Sequence, residues 1–202
     1  MTKAYPGAQP STSFGTELSP TTRYLLSQLY ALDEVSAVHS LQVGEVAAEI
    51  ATAMGIIADR SWLYEAGVLH DIGKLHIAPE LLHSNRFFGP RERQAMQLHV
   101  RYTAEILKHY HYEGRVVQAC IEHHERLDGS GYPAGARGSA ITLAGRILAV
   151  ADVFSALVSP RPYRGALTPR QALDIILQEA YHGRLDADIA AYLTQKIGKE
   201  TR

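Results

Sequence analysis

Asp152 lies inside Ile147-Leu-Ala-Val-Ala-Asp152-Val-Phe, an apolar run in which nearly every neighbour belongs in a core. The segment Thr142–Ser159 has the length and pattern of a buried helix. A carboxylate there is costly unless it is paired, hydrogen-bonded or bound to a metal. Any fold open to this chain must therefore bring Asp152 a partner. One candidate is a buried salt bridge to Arg146 or Arg161. A metal ion is the other, and the positions of the histidines favour it.

The chain has ten histidines, and several share the anomaly of Asp152. His70 and Asp71 close the apolar run Trp62, Leu63, Ala66, Val68 and Leu69, with Gly73 and Lys74 directly after. His39 lies beside the apolar face of a helix expected over Asp33–Met54, whose inward residues read Val35, Val38, Val46, Ile50 and Met54. His99 sits within the stripe Met96, Thr103, Ile106 and Tyr110 of a helix over Arg91–His111, whereas His109 and His111 fall at its polar end. His123 and His124 end the helix Arg115–Arg126, just before a glycine-rich turn. The candidate ligands are thus His39, His70, Asp71, His99, His123, His124 and Asp152. Five imidazoles and two carboxylates exceed the needs of one ion. They suit two divalent ions about 3.5–4 Å apart that share a carboxylate. With no thiolate among them, the N and O donors suit iron first, with manganese able to substitute, rather than structural zinc. Such a centre acts on phosphate esters, and Lys74, Arg161 and Arg164 supply positive charge for a phosphodiester.

The rest of the chain narrows the class. No strand pattern or repeat is evident, so the expected fold is all-α, a compact multi-helix bundle around a dinuclear metal site. Further helices are expected from Thr21 or Thr22 to Leu32, with Tyr24 inward, and over Pro169–Tyr181 and Asp186–Ile197. Residues 1–20, with Pro6, Gly7, Pro10, Gly15 and Pro20, read as a flexible lead-in, and 21–202 as one catalytic domain. The net charge of −1 offers no general surface for duplex nucleic acid. A single cysteine, Cys120, excludes an internal disulfide. The absence of a long apolar run or a signal-like N-terminus leads us to expect a cytoplasmic protein without membrane contact.

The motifs HDIGK at 70–74, HHE at 123–125 and DGSGYP at 128–133 together resemble the HD-GYP family, a subgroup of the HD-domain metal-dependent phosphohydrolases. The resemblance extends from about Val35 to Ile197. It implies an all-α domain, a centre of two or three metals, and hydrolysis of the bacterial messenger cyclic di-GMP to pGpG or GMP. It further implies that His39, His70, Asp71 and Asp152 hold one ion. Asp71 would bridge to a second, held by His99, His123 and His124, and Asp71 and Lys74 would be the catalytic pair. Lys74 would contact the scissile phosphate, Arg161 and Arg164 the guanine and phosphate, and Tyr132 and Pro133 would line the pocket. A signalling protein docked through the GYP loop and a homodimer are the partner expectations.

Four positions depart from the pattern of the family. Val35 stands where members with a third metal carry Glu, and it is expected to be a buried, apolar wall of the site. Val100 follows His99 in place of the common Pro, Thr103 replaces a frequent Gly, and Ser155 replaces an Asp. None removes a ligand of a two-metal site. Two other functions remain open: hydrolysis of a different nucleotide, and a non-catalytic module that binds nucleotide or protein.

Overall fold

The computed structural model describes residues 18–84, 87–160 and 165–200. Its helices are α1 (Pro20–Leu32), α2 (Glu34–Ala53), α3 (Arg60–Leu69), α4 (Pro79–Leu82), α5 (Pro90–His109), α6 (Gly114–Glu122), α7 (Leu143–Val158), α8 (Pro169–Tyr181) and α9 (Ala187–Glu200). Among the described residues, the only β-pairing is an isolated bridge between Asp128 and Arg137. The all-α expectation is met. No described helix is long and apolar enough to cross a membrane.

Helix starts follow capping chemistry. Ser19, rather than Thr21 or Thr22, caps α1 by accepting the Thr22 N–H, and Pro20 occupies the first turn, where its missing N–H costs nothing. Asp33 caps α2, Thr142 caps α7, and Thr168 with Gln171 forms a capping box on α8. Residues 1–17 of the expected lead-in lie outside the described residues.

Helix α2 lies at the centre, packed on α3 along one flank and on α7 along another. It buries Ser36, Ala37, His39, Ser40, Val43, Gly44, Ala47, Ala48, Ile50 and Ala51. Of the expected inward face, Ile50 is buried and Val46 and Met54 pack partly buried against the core, but Val35 and Val38 are corrected, being 66% and 42% exposed. The reason is closeness of approach. A Cβ on Gly67 would lie 2.6 Å from the Gly44 Cα, and one on Gly44 would lie 2.7 Å from the Tyr64 carbonyl. Helices that cross this tightly select small side chains at the contact, whatever their hydrophobicity. In α1, Tyr24 likewise faces outward against expectation, whereas Leu25 and Leu29 are buried as expected, together with Thr22 and Leu26.

Candidate metal centre

Helix α3 stops at Leu69, and His70 occupies its C-cap. There the His70 Nδ1–H donates to the carbonyl of Gly67 at 2.7 Å, one of the acceptors a helix end leaves unused. His123 occupies the C-cap of α6 and does the same to Cys120 at 2.6 Å. His99, inside α5, donates its Nδ1–H to Met96 at 2.6 Å. A carbonyl can only accept, so each bond assigns the proton to Nδ1 and leaves Nε2 with a free lone pair. All three Nε2 atoms are buried without a hydrogen-bond partner, as are Asp71 Oδ1 and His39 Nδ1. Fixing a ring through its outer nitrogen while the inner one waits is the usual arrangement around a metal.

The carboxylates stand among these nitrogens. Asp71 Oδ1 lies 3.1 Å from His99 Nε2 and 3.9 Å from His123 Nε2. Its Oδ2 lies 3.2 Å from His70 Nε2 and 2.6 Å from Lys74 Nζ. Asp152 Oδ1 lies 2.9 Å from His39 Nε2 and 4.0 Å from His70 Nε2, while its Oδ2 is 3.8 Å from His124 Nδ1. The seven candidates fall into two sets, His39, His70 and Asp152, and Asp71, His99, His123 and His124. Within each set the donor atoms lie within 4.8 Å of one another. Asp71 faces both sets, one oxygen toward each. These residues fit a pair of divalent ions, since the orphaned Nε2 atoms and the carboxylate oxygens supply the donors such ions take.

Electrostatics agree with that chemistry at Asp71, Asp152, His123 and His124. Burial alone would raise Asp71, but the Lys74 ammonium and the His70 ring outweigh it and hold the carboxyl well below its usual range. Burial likewise opposes the charge of Asp152, and the bond and field of His39 overcome it, again leaving the carboxyl low. Burial pushes His123 down, aided by His124 and His70, and pushes His124 down to about 3. His70 moves the other way, because Asp71 and Asp152 more than offset its burial. Ionised carboxylates and neutral imidazoles are the protonation states that bind metal.

One of the two alternative partners for Asp152 is otherwise engaged. Arg146 donates to Asp186 at 2.6 Å. Arg161 and Arg164 lie outside the described residues. The Tyr132 ring stacks on His124 with centroids 4.6 Å apart, and its backbone N–H donates to the His124 carbonyl at 3.2 Å. Burial, with the Asp71 and Asp152 charges, raises the Tyr132 phenol. Pro133 follows it on the exposed rim. His109 and His111 are exposed, as their polar surroundings predict. Val35 does not wall the site as expected. Glu34 is taken by the Tyr30 hydroxyl at 2.6 Å, and Asp33 by its capping bonds.

Two supporting residues escape a reading of the sequence. Glu125, the third member of HHE, is buried and accepts the N–H groups of Ala134 at 2.7 Å and Ala136 at 3.0 Å. It fastens the loop that carries Tyr132 to the turn that carries His123 and His124. Thr103 accepts the Gly73 N–H at 2.9 Å and donates to the His70 carbonyl at 3.2 Å, pinning the turn around Asp71 against α5. Gly73 permits that contact, since a Cβ there would collide with the His99 carbonyl. The buried acid next to paired histidines was the available signal for Glu125; Thr103 offered none.

The HD domain family model matches residues 21–189. The 3'3'-cGAMP-specific phosphodiesterase 1 of Vibrio cholerae serotype O1 is 40% identical over 152 residues, covering 75% of this chain and 35% of that protein. The cyclic di-GMP phosphodiesterase response regulator RpfG of Xanthomonas campestris pv. campestris is 39% identical over 149 residues, 71% of this chain and 38% of that protein. The chain thus spans little more than a third of the length of these relatives. An HDG"Y"P protein from Bdellovibrio bacteriovorus shares the fold with a TM-score of 0.65, at 19% identity over 88% of this chain and 60% of that one. The chain therefore belongs to the HD domain family, the wider group implied by the resemblance first read from HDIGK, HHE and DGSGYP.

Proposed function

We propose that residues 21–202 form a metal-dependent phosphodiesterase domain that hydrolyses a cyclic dinucleotide, with cyclic di-GMP as the substrate. The observation that carries this reading is the set of three buried imidazoles whose Nδ1–H groups are tied to backbone carbonyls while their Nε2 atoms face Asp71 and Asp152. His39, His70 and Asp152 would hold one ion and His99, His123 and His124 another, with Asp71 shared between them. Iron is the first expectation and manganese the substitute. When bound, such a pair supplies Lewis acidity toward a phosphodiester and makes water a stronger nucleophile at neutral pH.

The chain's own residues supply the rest. Lys74 donates to a non-bridging oxygen of the scissile phosphate, where negative charge builds up. Arg161 and Arg164 take a guanine edge and the second phosphate. Tyr132 and Pro133 shape the wall beside His124 and limit solvent access. Addition of one water across a P–O3' bond leaves a 5'-phosphate on one nucleoside and a free 3'-hydroxyl on the other, giving linear pGpG. A second round gives GMP.

The name of the Vibrio relative favours a second reading, in which 3'3'-cGAMP is the substrate. Protein loaded with iron or manganese is incubated with each dinucleotide in turn, and products are followed by chromatography. Faster release of pGpG from cyclic di-GMP supports the first reading, and faster turnover of 3'3'-cGAMP supports the second. No product from either overturns both.

A further inference from the structure

A chain of polar contacts leads from the surface into the site and ends on Lys74. Asp33, the N-cap of α2, uses Oδ1 to accept the Val35 N–H at 3.2 Å and Oδ2 to accept the Ser36 hydroxyl at 2.6 Å. The single hydroxyl proton of Ser36 is thereby committed to Asp33, and its lone pairs are left to accept. Lys74 Nζ donates to that oxygen at 3.3 Å and to Asp71 Oδ2 at 2.6 Å. Ser36 is buried, and so is Asp71. An ammonium group has three donors, so two go to these fixed acceptors and the third is left for substrate.

We infer that Ser36 is a positioning residue for hydrolysis, holding Lys74 Nζ so that its remaining N–H meets a phosphate oxygen of the dinucleotide. This rests on the role proposed above for Lys74. A lysine on a flexible stem held by one contact samples many positions, and a second acceptor from a different element restricts it. Ser36 comes from the first turn of α2, the helix that carries His39, whereas Lys74 follows His70 and Asp71. The contact therefore ties the substrate-facing cation to both halves of the candidate centre. Capping of α2 does not depend on the Ser36 side chain, because the bond from Val35 to Asp33 is separate.

A double-mutant cycle with Ser36→Ala, Lys74→Ala and the pair, plus Ser36→Thr, tests this on the metal-loaded protein with cyclic di-GMP. Loss of a hydrogen bond to a charged group predicts about a tenfold fall in kcat for Ser36→Ala. KM, metal content and thermal midpoint should stay near wild type, and Ser36→Thr should recover most of the rate. In the Lys74→Ala background, Ser36→Ala should change nothing further. The acetylation rate of Lys74, read by mass spectrometry without substrate, should rise in Ser36→Ala. An equal tenfold loss in both backgrounds, or a wild-type rate for Ser36→Ala, overturns the inference and leaves the proposed function standing. If wild type cleaves no cyclic dinucleotide, the proposed function fails, and an unchanged acetylation rate then overturns the role of Ser36 as well.

Discussion

His39 Nε2 and Asp152 Oδ1 lie 2.9 Å apart although 113 positions separate them in the chain. The contact joins α2 to α7 and answers the problem posed by a carboxylate in an apolar helix. Its partner is an imidazole, and the guanidinium candidate among the described residues, Arg146, is bound to Asp186. An imidazole and a carboxylate at this spacing, with His70 Nε2 4.0 Å from the same oxygen, suit a shared cation better than a closed salt bridge.

Asp71 should matter more to metal content than any other single ligand, because each of its oxygens faces a different set. Elemental analysis of anaerobically prepared protein should find about two transition-metal ions per chain. Asp71→Ala should bring that toward zero, while His109→Ala, at an exposed site, should leave it unchanged. Equal losses from the two changes would contradict the assignment.

Glu125→Gln should loosen the glycine-rich loop. One of the two N–H groups of Ala134 and Ala136 would then face an amide NH2 instead of an oxygen. A lost buried acceptor costs about 1–3 kcal/mol, measurable as a lower urea midpoint at unchanged m-value. Turnover should fall with it, since Tyr132 and His124 share the fastened segment.

Gly44→Ala should destabilise the fold by about 1–3 kcal/mol, because its methyl meets the Tyr64 carbonyl at 2.7 Å and Val68 Cγ2 at 2.9 Å. Val35→Ala, at a side chain 66% exposed, should stay within about 0.5 kcal/mol of wild type. The contrast can be read in paired urea titrations. A larger cost at Val35 than at Gly44 would mean that the valine face is the buried one.

The metal-free protein should lose stability as pH falls below 6.5, the ordinary histidine value. His124, pushed down to about 3, takes up its proton in the unfolded chain well before the folded one does. His123 acts in the same sense. The unfolded state therefore binds more protons through this window, and stability rises with pH across it. The depressed Asp71 and Asp152 extend the decline below their ordinary 3.8. His70, raised, opposes the trend and loses its contribution as pH climbs above 6.5. Thermal midpoints of chelator-treated protein from pH 4 to 8 would show the slope.

Much of this protein was legible in the sequence alone. Period-3.6 patterning and capping residues located the helices to within a few positions, because both signals are local. The candidate ligands stood out for a similar reason: Asp152 is incompatible with its apolar neighbours, and His70 and His123 sit where apolar runs end. What no local signal carried was which face of α2 turns inward near the site. Val35 and Val38 are apolar and close to His39 in the chain, yet they face outward, and Ser36, Ala37, Ser40, Gly44 and Ala47 are buried. Hydrophobicity ranks single residues, but a close crossing such as that of Gly44 with Gly67 is a matter of volume between two helices. The roles of Thr103, Glu125 and Ser36 were decided in the same way. Each depends on a backbone amide or an ammonium group brought within hydrogen-bond reach by the tertiary fold, and the sequence neighbours of Thr103 and Ser36 hold no trace of it.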